Sequence, residues 1–249
     1  MGTNALCPLV FTPFTFNILL TLTLYYNTYM GTLNDAYIKA KELIARKGRD
    51  AQDDGVDVNE RNEKQMNRLP PGQRLVNNFP VLDLGYRPIF FEKKYRFEVT
   101  GLVENPIKLT WQEFKELPKV ELTADFHCVT RWSKFDVKWC GVLMKDIIEL
   151  VKPKAEAKFF VQYGTDGYTT NVPLEKVMTD TAILAYELDG KPLPREHGGP
   201  LRMIIPELYA WKGSKFLTKL EFLGEDELGF WEIRGYNNSA DPWKEERYA

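Results

Sequence analysis

From Leu69 onward the chain is written in short alternating apolar runs, each closed by Gly or Pro, with only brief helical stretches between them. This rhythm constrains the fold more than any other feature, because period-two alternation cannot sit as a helix and the breaks fix where each run ends. YRFEVTG, IKLTW, VELTADF, KFFVQYG, AILAYELDG, LRMIIP and LTKLEFLG predict strands, while WQEFKEL and VLMKDIIELV predict helices. Strands outnumber helices and do not alternate with them in strict βαβ order, so the expected class is α+β with a mixed sheet, not a doubly wound fold. At 249 residues the chain can bury a sizeable core without disulfide or metal staples.

The segments before and after this region differ in kind. Residues 1–33 form a hydrophobic lead; the first charged residue is Asp35, and FNILLTLTLYYNTYM looks membrane-like. Pro8, Pro13, Asn17 and Asn27 interrupt it, and it lacks the basic start and small-residue cleavage site of a signal peptide. A marginal anchor through residues 9–33, translation from upstream of a true start at Met30, and an unstructured tail all fit. If the lead inserts, Lys39, Lys41, Arg46, Lys47 and Arg49 behind it put the folded body in the cytoplasm. Residues 34–68 read as a helix capped by Asn34, with Tyr37, Ile38, Leu43 and Ile44 near one face, followed by a charged linker. Residues 69–224 then form the alternating folded domain, and 225–249 an acidic, aromatic tail too short for another domain.

Charge and ligand counts exclude several functions. Lys plus Arg number 33 against 35 for Asp plus Glu, so no basic field favours a nucleic-acid partner. Three cysteines and two histidines, with no C-x-x-C or H-E-x-x-H spacing, argue against a disulfide framework, zinc and covalent haem. Two constellations remain. Cys128 closes a strand in ADFHCVTRWSKFDVKWCG with His127, Arg131 and Trp132 beside it; it is either a candidate thiolate or, more plainly, a free cysteine packed as a small hydrophobe. In LDGKPLPREHGGPLRMIIPELYAWKGSK, cations His197, Arg202, Lys212 and Lys215 interleave with Gly198, Gly199 and Gly213, a mix that suits a phosphate and equally a solvated basic loop. Tyr168, in TDGYTTNVPLEKV, is by itself a half-buried strand residue.

Taken together, FHCVTRWSKFDVKWCGVLMKDII, the GTDGYTTNVPLEKV segment, the P-L-P-R-E-H-G-G-P-L-R string and the leading RLPPGQ resemble the catalytic domain of the sulfite oxidase family of molybdenum enzymes, in order and spacing, from about Leu69 to Gly224. The resemblance implies that family's mixed α+β fold and a molybdenum held by molybdopterin. It implies Cys128 as the one protein ligand to the metal, with the pterin dithiolene supplying further sulfurs. His197, Arg202 and the turn Gly213, Ser214, Lys215 would hold the pterin and its phosphate, with Thr165 at a further pterin contact. Tyr168 would position substrate or relay a proton.

Departures from the family pattern bear on the substrate. Animal members carry paired arginines after the ligand, whereas here Cys128-Val129-Thr130-Arg131-Trp132-Ser133 leaves Arg131 as the lone cation. This C-x-x-x-W-S run is closer to the bacterial branch that includes a periplasmic methionine sulfoxide reductase. The expected activity is therefore oxygen-atom transfer on a small sulfur, nitrogen or sulfoxide compound, with electrons exchanged through an external carrier such as a cytochrome or a quinone-linked membrane subunit. A Cys128/His197 hydrolase is the alternative enzyme, though without an orienting acid at motif spacing. An inactive, membrane-tethered binding module is the non-enzymatic one.

Overall fold

The computed structural model describes residues 36–40 and 67–249. The chain divides into two units, Met1–Ile44 and Ala45–Ala249. In the first, residues 36–40 are helical, in line with the helix expected there; the hydrophobic lead, Asn34 and most of the charged linker lie outside the described residues. Among those described, no helix is long and apolar enough to cross a membrane.

The second unit is built from two mixed sheets. Five strands, β2 (Arg96–Gly101), β3 (Ile107–Thr110), β6 (Phe159–Gly164), β7 (Thr169–Pro173) and β11 (Leu217–Leu223), pair in the order β3-β2-β11-β6-β7. The other sheet runs β1-β5-β8-β10, from β1 (Arg74–Leu75), β5 (Trp132–Leu143), β8 (Ile183–Leu188) and β10 (Arg202–Ile204). To it, β4 (Val120–Cys128) adds beside β5 and β9 (Lys191–Pro192) beside β8. Among the described strands, only β1 with β5 and β2 with β11 pair in parallel. All seven strand segments expected from alternation are present.

Both expected helices also form, each for a local reason. Helix α1 (Trp111–Lys115) starts in a capping box: Thr110 Oγ1 accepts from the Glu113 amide at 3.3 Å, and the Thr110 amide donates to Glu113 Oε2 at 2.7 Å. It buries Trp111 and Phe114. Helix α2 (Met144–Val151) buries Met144, Ile147, Ile148 and Val151 at helical spacing and stops where Lys152 turns left-handed. These faces join Phe97, Val99, Phe160, Leu220 and Phe222 of the five-stranded sheet in one core.

A second, aromatic core holds Phe126, Cys128, Trp132, Trp139, Tyr209, Trp211, Tyr236 and Ala240. The stretch 225–249, set apart above as a tail, is thus built into this body: Tyr236 packs edge-on to Trp211, and the Ala240 carbonyl accepts from the Tyr209 amide at 2.8 Å. Its firmest tie is a buried ion pair at 2.7 Å between Lys212 and Glu232, whose side chains are 1% and 0% exposed.

Candidate active site around Cys128

Strand β4 delivers Cys128 to the aromatic core. The register pairs His127 with Ser133 and Cys128 with Trp132, so Val129, Thr130 and Arg131 make a three-residue hairpin turn closed by the Arg131 amide on the Cys128 carbonyl at 3.1 Å. Such turns end on a left-handed residue, and Arg131 takes that place with φ 68°. Cys128 is 7% exposed and its Sγ meets Thr130 Oγ1 at 3.1 Å. Gln73, from the RLPPGQ segment, donates to the Cys128 carbonyl at 3.0 Å. Burial pushes the thiol pKa up, and the Thr130 hydrogen bonds with the charges of Lys215 and Arg247 pull it the other way. Cys128 and Cys140 are both free and buried, and Cys140 pairs with Glu121, far along the β4–β5 ladder from Cys128, so no bridge joins them.

Strand β10 brings Arg202 to the same core. It is 3% exposed, Nη1 donates to the His197 carbonyl at 2.7 Å, and the guanidinium lies over the rings of Phe126 and Trp139. Its Nε has no partner. Burial lowers its pKa to about 10, against the opposing pull of Cys128 and Tyr168, which places thiol and guanidinium within electrostatic reach. Lys215 is lowered further, to about 7, by burial first and then by Arg202; its ammonium donates to the carbonyls of Leu82 at 2.6 Å and Glu196 at 2.7 Å. His197 stacks on Phe79 at 4.4 Å, and burial with Arg202 and Lys215 holds its pKa down, so the ring is neutral at neutral pH. Ser214 is fully buried, its amide on Gln162 Oε1 at 2.9 Å and its hydroxyl on the Lys215 carbonyl at 3.0 Å. Gly213 donates to the Ala210 carbonyl, its bare Cα against the Met203 carbonyl.

Four expected residues are placed differently from their anticipated roles. Tyr168 is buried, but its hydroxyl is committed to the Trp211 carbonyl, and burial raises its pKa well above the ordinary phenol value; it braces the 211–215 turn instead of offering a free proton. Arg131, the lone cation noted beside Cys128, sits on a left-handed backbone with its guanidinium 4.0 Å from Glu245; the cations acting on the thiol include Lys215, Arg247 and Arg202. Thr165 is exposed and hydrogen-bonds the Phe216 carbonyl through its amide at 3.0 Å. Lys212, grouped above with the phosphate-facing cations, is instead neutralised by Glu232.

The site also contains residues that the sequence did not single out. Arg247 is 4% exposed, donates to the carbonyls of Val129 at 3.0 Å and Pro71 at 3.2 Å, and stacks over Tyr209. Its Nε, the Tyr209 hydroxyl and the Trp211 Nε1 are buried without partners. His127, noted in the sequence beside the cysteine, is held neutral by burial, with a pKa of about 4 and Nδ1 at 2.8 Å from Ser133 Oγ. Among the described residues no three His, Cys, Asp or Glu side chains gather as a metal site. A metal here would take one protein sulfur and the rest of its ligands from elsewhere.

Comparison with known proteins sets this geometry in a family. Residues 85–231 match the family described as oxidoreductase molybdopterin binding domain. The chain is 41% identical over 190 residues to the uncharacterized oxidoreductase YuiH of Bacillus subtilis, covering 76% of this chain and 96% of that protein. It is 28% identical over 161 residues to the protein-methionine-sulfoxide reductase catalytic subunit MsrP of Campylobacter jejuni, covering 57% of this chain and 54% of that one. Among solved structures, the sulfane dehydrogenase SoxCD from Paracoccus pantotrophus superposes with a TM-score of 0.51 at 23% identity, over 56% of this chain and 40% of that chain, a likeness of fold.

Proposed function

Because the chain belongs to the oxidoreductase molybdopterin-binding family, the sulfite oxidase family of molybdenum enzymes, we propose that it is a reductase of small neutral sulfoxides, fed with electrons by an external carrier. The broader activity, molybdopterin-dependent oxygen-atom transfer on a sulfur, nitrogen or sulfoxide substrate, is that of the family. The cofactor is molybdenum held by molybdopterin. The residues present fit that group. Cys128 offers one soft sulfur to a metal whose remaining ligands are non-protein sulfur and oxygen, and the unpartnered Arg202 Nε with the desolvated Lys215 suits an anionic group.

When bound, the molybdenum centre supplies the two-electron step in which an oxygen atom passes between substrate and metal. The chain's own residues do the rest. Cys128 would ligate, held by its hairpin, the Gln73 amide on its carbonyl and the Arg247 clamp on Val129. Arg202, Lys215 and His197 would take the pterin and its phosphate, with Ser214 and Gly213 shaping the turn. Phe126, Trp132 and Trp139 exclude water around the thiol and raise the worth of each charge there. Tyr209 and Trp211 have unpartnered donors in this core, and we assign them to the substrate oxygen.

The single observation favouring a neutral substrate is that each arginine of the region already has a partner: Arg247 two carbonyls, Arg202 the His197 carbonyl and two ring faces, Arg131 the Glu245 carboxylate. We place the catalytic body in the cytoplasm, on the basic residues that follow the apolar lead. The test is molybdenum and pterin analysis of the purified protein, then turnover of dimethyl sulfoxide and methionine sulfoxide with a reduced viologen dye, beside sulfite oxidation with ferricyanide. Sulfite turnover without sulfoxide turnover would refute the proposed direction.

A further inference from the structure

One point beside the Cys128 turn gathers two guanidiniums around a single carboxylate oxygen. Glu245 Oε1 lies 4.0 Å from Arg131 Nη1 and 3.6 Å from Arg247 Nη2. The floor beneath them is Gly72, at φ 67°. A Cβ there would collide with that Glu245 oxygen and meet Arg131 Nη1 at 3.0 Å and Arg247 Nη2 at 3.3 Å, so any side chain at 72 would push these tips aside and strain the positive φ. The fully buried Tyr209 phenol, its hydroxyl unpartnered, feels the charges of Arg247, Glu245, Arg131 and Cys128 together, which ties the cluster to the thiol.

The carboxylate is placed by backbone and not by packing. The short turn Pro242–Lys244 is capped by the Asp241 side chain and ends with Glu245 in the left-handed region at φ 53°. Its side chain remains 46% exposed, and neither contact is as short as a locked bidentate pair. A carboxylate so held is displaced cheaply but always counted in the local charge.

We propose that Glu245 is a specificity-determining residue of this site: its carboxylate stands where a substrate oxyanion would sit between Arg131 and Arg247, and so disfavours anions while neutral sulfoxides are admitted. The proposal rests on the neutral-sulfoxide reading above. Removing the charge leaves two guanidiniums facing one position, with no other carboxylate among the described residues in ion-pair contact with either. At the solvent-exposed limit, two charges 4 Å apart interact by about 1 kcal/mol, roughly a fivefold change in affinity.

The experiment uses the molybdenum-loaded protein and sulfate, an unreactive oxyanion, titrated calorimetrically at low ionic strength. Glu245→Gln is expected to bind sulfate about five- to tenfold more tightly than wild type, and Glu245→Gln/Arg131→Gln to lose that gain; added salt should shrink the difference. Equal sulfate affinity in wild type and Glu245→Gln, with wild-type sulfoxide turnover intact, overturns the Glu245 assignment alone. Wild-type protein that oxidises sulfite and leaves sulfoxides untouched overturns the neutral-substrate reading, and the proposal with it. Near-ultraviolet circular dichroism and metal content establish that each variant is folded and loaded.

Discussion

Neutralising Glu232 isolates what the C-terminal stretch contributes to the fold. In the native protein Lys212 Nζ lies 2.7 Å from Glu232 Oε1 and also donates to Asn171 O at 3.0 Å, Asn171 Oδ1 at 3.2 Å and Asn238 Oδ1 at 3.2 Å, while Thr170 Oγ1 donates to Glu232 Oε1 at 2.8 Å. Glu232→Gln keeps the shape and removes the nearest negative charge, leaving an ammonium that is 1% exposed hydrogen-bonded to amide oxygens, with the Asp226 charge still acting on it. Breaking one side of a buried pair costs about 3–5 kcal/mol. For a folded body of this size that corresponds to a fall in Tm of about 6–20 °C. The pH dependence has a definite sign. Burial already lowers the Lys212 pKa against the opposing pull of Glu232, so without Glu232 it falls further and the unfolded chain binds more protons than the folded one. The variant's deficit is then largest at neutral and lower pH and shrinks as pH rises toward the ordinary lysine value. Lys212→Met/Glu232→Gln, which removes both charges, should recover more than half of the loss. Calorimetric melts from pH 6 to 10 measure all of this, and a Glu232→Gln melt within about 2 °C of wild type at pH 7 would refute the reading of the pair as buried and coupled.

Cys128→Ser should abolish oxygen-atom transfer while Arg202 and Lys215 retain the pterin, and Cys140→Ser should change little; pterin fluorescence after acid release, metal content and turnover separate the two. Arg202→Ala removes a charge-assisted contact to a buried anion, about 1.5–3 kcal/mol, and should lower molybdenum content more than it lowers turnover per bound metal. Lys215 has a pKa of about 7 even with the charges of Asp83 and Asp166 acting on it, and a bound phosphate would raise it, so cofactor binding takes up a proton above pH 7. Retention should be flat below that pH and weaken by up to about tenfold per unit above it, with Lys215→Gln flattening the profile, as followed by pterin release across a pH series.

The strands were legible because half-buried strands alternate and Gly or Pro closes them. β5 was not read as one strand: Asp136 takes a positive φ, the register shifts against β4 and again against β8, and Trp139 to Leu143 are buried on both faces, so no alternation survives. Its last residues, Val142 and Leu143, read instead as the start of the following helix. The site was legible where one string carries its residues, as with His197, Arg202 and Lys215. Local sequence could not show that the Tyr168 hydroxyl is taken by Trp211, or that Arg131, on a positive φ, faces Glu245. Arg247, Tyr209 and Glu245 lack any local signal, since each matters only through chain brought from far away in sequence.

The buried cations themselves separate scaffold from site. A cation buried for structure should be neutralised, because an uncompensated one costs several kcal/mol, and Lys212 obeys this with a carboxylate at 2.7 Å and three amide oxygens. Arg202 does not: it is 3% exposed with its Nε unpartnered; Arg247, 4% exposed and also with an unpartnered Nε, meets only the half-exposed Glu245 carboxylate at 3.6 Å, and around them Tyr209 and Trp211 also hold buried donors unpaired. Lys215 donates only to backbone carbonyls, and its pKa sits far below that of an ordinary lysine. These unsatisfied donors gather around Cys128, whose sulfur is the soft ligand among them. A fold that keeps positive charge and unpaired N–H and O–H groups around one thiol is organised for something anionic and acceptor-rich that the chain does not supply. That is the demand a sulfur-bound metal with a phosphate tail would meet, and the fold meets it only with the C-terminal stretch in place, because Arg247 and the partner of Lys212 both lie there.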